Sequence, residues 1–188
     1  MRPLRLQYNA PVVLTFSLLS LGALIFGMLT GGGSTRLLFC VYRAPLTDPL
    51  TYVRMFTHVL GHANYTHFIG NIMLLLVIGP PLEEKYGSRT LLAGILLTAG
   101  VSGILQCVFF PGSALLGASG IVFMLIMLAS LAGMKDGRIP LTLILAAVLY
   151  LGQEVYAMVA LRDNVANFMH LVGGFTGTVF GVVLAKRR

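Results

Sequence analysis

Ser119 stands between Ala118 and Gly120 at the head of an apolar run, inside a stretch from Thr90 to Met134 that carries no charge. Small neighbours let backbone and a second molecule approach its hydroxyl closely. Serine attacks a carbonyl only once a base takes its proton, and the imidazole of His170 is the candidate base. A tetrahedral intermediate also needs donors aimed at its oxygen. His67 and Asn71, four residues apart and therefore on one helical face, offer side-chain N–H groups. The Ser119 amide, at a helix start, adds a third donor where the helix dipole favours negative charge. Together these groups fit acyl transfer, with Ser119 as nucleophile, His170 as base, and His67, Asn71 and the Ser119 amide as the oxyanion site. Singly, each has a plainer meaning as a packing serine or an interhelical hydrogen bond. Their shared depth in the fold is what favours chemistry.

That depth follows from composition. The 188 residues are 57% hydrophobic and only 10% charged, with a mean hydropathy of +0.89. A soluble domain would carry about 25% charge. The expectation is an all-α, polytopic membrane protein forming a single domain over residues 1–188. Crossing a bilayer takes ~20 apolar residues, which leaves room for about six spans. They are expected at about 12–30, 65–82, 89–110, 119–134, 141–161 and 165–185. The first is read as a retained helix and not a signal peptide, because its apolar part is long and no A-x-A pattern follows. The connection from Gly31 to Ala63 holds Gly31-Gly32-Gly33, Pro45 and Pro49, and its second half is expected to fold back against the membrane surface. Cys40 and Cys107 lack metal spacing, and a disulfide framework is not expected.

The net charge of +7 is scattered at span ends, without a basic patch interleaved with aromatics, so nucleic acid is not an expected partner. Alternating six spans puts nine basic residues on one side, among them Lys85, Arg89, Lys135 and Arg138, against Arg36, Arg43, Arg54 and Arg162 on the other. The positive-inside rule then places both termini in the cytoplasm and the starts of the second, fourth and sixth spans outside. His67, Ser119 and His170 each lie within about two turns of such a start. On the sixth span His170, Gly173, Gly177 and Gly181 share an arc of about 80°. Glycine at four-residue spacing lets two membrane helices touch backbone to backbone, and the natural partner is the helix headed by Ser119-Gly120. That helix, at 16 residues by this reading, rises only about 24 Å against a core of ~30 Å. Residues Gly112 to Ala118 should therefore dip inward as irregular backbone lining a cavity.

Four stretches together resemble the rhomboid family of intramembrane serine proteases in its compact six-helix form. They are Arg54-Met55-Phe56-Thr57-His58 with His62, His67-x-x-x-Asn71, Gly117-Ala118-Ser119-Gly120, and His170-x-x-Gly173-x-x-x-Gly177. The resemblance implies a Ser119 and His170 dyad with no third carboxylate. It implies cleavage of single-pass membrane substrates near their outer end, with entry beside the fifth helix under a cap at about Val159 to Asn167. It also implies supporting roles for Gly117, Gly120, Phe123, Asn167, Gly173 and Gly177, and a structural one for Glu83. Two departures stand out. Val53 occupies a position often held by Trp, and Phe123 one commonly held by Tyr, so stacking on the base is kept and a hydroxyl is lost. No cofactor and no metal are expected. The bilayer and membrane-protein substrates are the expected partners, and a bacterial inner membrane is the expected location.

Three rivals are weaker. His58, His62 and His67 could bind zinc, but no H-E-x-x-H is present and no acidic residue lies between Tyr52 and Leu82. A channel or transporter would carry polar groups across the bilayer, and here they converge on one end. A non-proteolytic rhomboid-like protein that binds and escorts membrane clients is the main alternative, and it has no need of the complete set of four polar residues.

Overall fold

The computed structural model describes residues 7–132, 138, 141–146, 148–149 and 164–186. In chain order these are α1 (Pro11–Leu29), α2 (Gly33–Leu38), β1 (Val41–Tyr42), α3 (Pro49–Thr57), a 3-10 turn (His58–Leu60), α4 (Tyr65–Tyr86), α5 (Ser88–Phe109), β2 (Ala114–Leu115), α6 (Ser119–Leu131), α7 (Leu141–Ala146) and α8 (Asn164–Lys186). Among the described residues, α1, α4 and α5 are long and apolar enough to cross a membrane. The apolar stretches Ser119–Leu131 and Phe168–Leu184 are shorter. At 1.5 Å per residue α6 rises only about 20 Å.

The core is built around α6. Ile121, Met124, Leu125 and Leu128 are all but fully buried, and the burial of Val122, Ile126, Met127 and Leu131 leaves this helix enclosed on every side. It packs chiefly on α8, with α4 and α5 completing the enclosure. The outer helices turn large apolar side chains outward, among them Leu18, Val77, Ile104 and Phe175. Such a belt suits lipid and not water.

The α6/α8 crossing depends on glycine. A methyl group built on Gly173 would meet the Gly120 carbonyl carbon at 2.8 Å, and one on Gly177 the Met124 Cα at 2.8 Å. Both contacts are with backbone, which cannot swing aside. Lys85 reaches from the end of α4 to the Ala132 carbonyl, meeting an acceptor that the end of α6 leaves free.

Several boundaries differ from the sequence reading. The second span does not stop near Leu82 but continues through Pro80 and Pro81 to Tyr86. Two carbonyls, four residues earlier at Leu76 and Val77, thereby lose their helical donors. What holds the extra turn is Glu83, 3% exposed, whose carboxylate accepts from the amides of Val12 and Val13 at 2.9 and 3.0 Å. The acid thus caps α1 from 70 residues away, where Pro11 sits in the first helical turn. The fourth helix ends at Leu131, short of the expected Met134. Of the fifth span only α7 and residues 148–149 fall among the described residues, and Gln153, Glu154 and most of the expected cap lie outside them. The last four residues of that cap, from Asn164, are already the first turn of α8.

Gly177→Leu should force α6 and α8 apart and lower the melting temperature in detergent by an overpacking cost of roughly 1–3 kcal/mol. Gly22→Leu is the control, because Gly22 is exposed, nothing lies within 4 Å of a Cβ there, and its melting temperature should stay near wild type.

Candidate active site

Ser119 is the first residue of α6, and Ala118 before it makes no side-chain cap, so no capping side chain takes the first amides of the helix. The chain arrives there through Gly117 at φ +126°, a conformation that other residues rarely adopt. Gly117 is fixed twice. Its amide donates to the His58 carbonyl at 3.0 Å, and β2 just before it pairs antiparallel with β1, Val41 opposite Leu115. The expected irregular stretch from Gly112 to Ala118 is therefore pinned by a two-residue ladder to the first connection.

The His67 ring lies directly against Gly117. A methyl group at Gly117 would come to 2.8 Å from its Cε1 and 2.9 Å from its Nε2. The Asn64 side chain caps α4 by accepting from the His67 amide at 2.8 Å. The Ala63 amide makes a long contact, 3.5 Å, to His67 Nδ1. An amide can only donate, so Nδ1 is the acceptor and the proton sits on Nε2, the nitrogen on the Gly117 side. Asn71, buried one turn below, gives one of its two N–H bonds to the His67 carbonyl at 2.9 Å and keeps a second.

The His170 ring stacks flat on Phe123, 4.6 Å between centroids at 8°. Phe123 follows Ser119 by four residues and so shares its face of α6. His170 sits one turn before Gly173, whose lack of a side chain sets the distance between the two helices. His67 and His170 lie within electrostatic range of each other. Ser119 is half-buried, and among the described residues its hydroxyl has no hydrogen-bond partner. Asn167 lies in the first turn of α8, one turn before His170. Gly120, also half-buried, lies 3.6 Å from the Met169 carbonyl by the position a methyl group would take. The structure thus gathers Gly117, Ser119, Gly120, Phe123, His67, His170 and Gly173 around the start of α6, with Asn71 beneath.

His58 and His62 do different work. The Arg54 carbonyl accepts from His58 Nδ1 at 3.2 Å, and Nε2 lies 3.3 Å from the Ser102 hydroxyl. Arg54 itself is 2% exposed, paired with Asp48 at 2.7 Å and laid over the Tyr42 ring at 4.6 Å. The guanidinium beside Asp48 holds its carboxyl below the usual carboxylate range. Burial pushes His58 down to about 4, and burial with the charge of His67 pushes His62 down to about 4. Sequence reasoning missed Asp48 and the polar stripe Thr98, Ser102, Gln106 on α5. The stripe's four-residue spacing was its signal.

The profile of the Rhomboid domain matches residues 49–187. Mouse Rhomboid-related protein 2 is 29% identical over 159 residues, covering 72% of this chain and 52% of the relative. The Rhomboid protease GlpG of Pectobacterium atrosepticum is 31% identical over 128 residues, 66% of this chain and 45% of the relative. Rhomboid-like protein 11, chloroplastic, of Arabidopsis thaliana is 31% identical over 127 residues, 66% and 41%. The chain spans about half the length of these curated relatives.

Both buried histidines are neutral when folded and free to protonate when unfolded, so the unfolded state binds more protons below pH ~6.5. Stability from this pair is full above that pH and falls as pH drops towards 4, below which it changes no further. Thermal unfolding in detergent should show a lower midpoint at pH 4.5 than at pH 7, with a shallower dependence in His62→Phe.

Proposed function

The chain belongs to the rhomboid family, and from that premise we propose that it is an intramembrane serine endopeptidase that cleaves single-pass membrane proteins near their outer end. One observation carries the reading. The glycine-spaced contact of α6 and α8 seats the His170 ring on Phe123, on the face of α6 that Ser119 heads. In the proposed reaction the Ser119 Oγ attacks the scissile carbonyl while His170 takes its proton, and the imidazolium then protonates the departing amine. Water next attacks the ester, giving up its proton to His170, and Ser119 is restored. The negative oxygen of each tetrahedral state is met by the Ser119 amide, His67 Nε2–H and the second N–H of Asn71. The tautomer set by the Ala63 amide presents a donor on the correct side of His67.

The proposed setting is a six-span bundle with both termini in the cytoplasm and the start of α6 facing outward, in a bacterial inner membrane. The short α6 supports the placement, because a helix of about 20 Å starts below the surface of a ~30 Å core and leaves a depression above Ser119. The distribution of basic residues supports the orientation.

Purified protein in liposomes should cleave a labelled single-span substrate, and Ser119→Ala and His170→Ala should each abolish cleavage with melting temperature unchanged. A fluorophosphonate should label wild type and not Ser119→Ala; equal labelling of both counts against the nucleophile. Wild type that retains the substrate uncut would point to the escort function instead. Asn71→Ala should slow cleavage by about 100-fold, the effect of losing one donor worth ~3 kcal/mol in the transition state.

A further inference from the structure

The outer end of α1, α2 and the beginning of α4 border a cavity of about 430 Å³ that reaches Leu116, three residues before Ser119. Leu24, Met28 and Leu116 give it an apolar lining, Arg36 contributes a cation, and His62 forms part of the wall. His62 is 3% exposed, and its Nδ1 lies 3.1 Å from the Leu60 carbonyl. A carbonyl only accepts, so Nδ1 holds the proton and Nε2 is a bare acceptor. That nitrogen is buried and has no partner among the described residues. Arg36 is exposed and has no ion-pair partner among them either.

Position in the bilayer identifies the kind of guest. The 19 residues of α1 rise about 28 Å, close to the thickness of the hydrocarbon core, so its end lies at the level of lipid headgroups. Met28 and Leu29 there are 72% and 80% exposed, and Tyr65 beside the cavity is 64% exposed, as an interfacial aromatic would be. A guest at this depth meets a cation, a lone-pair acceptor and an apolar flank at once.

We propose that this cavity is a binding site for a phosphatidylglycerol-type lipid. The phosphate pairs with Arg36, a headgroup hydroxyl donates to His62 Nε2, and the acyl chains run down the exposed flank of α1. The site does not rest on the protease assignment, since Arg36 and His62 take no part in the proposed reaction, although Ala63 and Asn64 in its wall also hold His67.

Native mass spectrometry of the protein released from micelles holding equal phosphatidylglycerol and phosphatidylcholine tests it. Phosphatidylcholine carries the phosphate without a headgroup donor, so wild type should retain roughly fivefold more phosphatidylglycerol, the effect of one net hydrogen bond. Arg36→Glu, an exposed change that leaves the fold intact, should lose retention of both lipids. His62→Phe keeps a ring and removes the acceptor, and should narrow the preference to what the net negative charge of phosphatidylglycerol gains from Arg36, with its melting temperature checking that it is folded; an unchanged ratio would overturn the headgroup contact. Equal retention of the two lipids by wild type would mean annular lipid only and would overturn the proposal, as would undiminished retention by Arg36→Glu. Excess glycerophosphoglycerol, the headgroup without chains, should leave the lipid in place; displacement would reveal a soluble phosphodiester site and overturn the lipid assignment.

Discussion

Backbone-to-backbone contact between α6 and α8 is the constraint on which the rest of the molecule depends. Lipid is as apolar as a leucine side chain, so two helices in a membrane gain little by hiding apolar surface from it. They gain by close fit, and here the fit puts Gly173 on Gly120 and Gly177 on Met124. The same fit fixes how near the His170 ring comes to the face of α6 and lets it lie flat on Phe123. A wider crossing would leave a similar bundle with the His170 ring lifted off Phe123.

The first connection supplies the second constraint. It is held in shape from within by Arg54, which is buried on Asp48 and Tyr42 of the same connection. From that anchor α3 lies along α5, His58 reaches Ser102, and the His58 carbonyl receives the amide of Gly117. The position of the residue before Ala118 and Ser119 is therefore set partly by an ion pair some sixty residues earlier in the chain. A buried arginine is costly unless paired, and the pairing explains why a charge can sit there at all.

What the sequence made legible was the part governed by period and by residue type. The glycine spacing on the last helix, the His67 and Asn71 face, the Asn64 cap and the start of α6 at Ser119 all follow from local rules, and the structure has them where those rules put them. The misses are places where distant partners override local preference. Pro80 and Pro81 read as a stop because the helix has no local means of surviving them, and the compensating contact, Glu83 on the amides of Val12 and Val13, comes from the other end of the chain. The strand pair Val41–Tyr42 with Ala114–Leu115 is too short to leave a periodic trace. Asp48 is one acid in a loop, and only the fold reveals that Arg54 lies within 2.7 Å of it.

The Glu83 clamp ties two helices together. Two charge-assisted bonds in a medium of low dielectric join α1 to α4 at one end, while at the other end the pair is parted by the cavity beside Arg36 and His62. Without that carboxylate the first turn of α1 would leave two amides that lipid cannot satisfy, so an acid near the end of the fourth helix decides where the first one can begin.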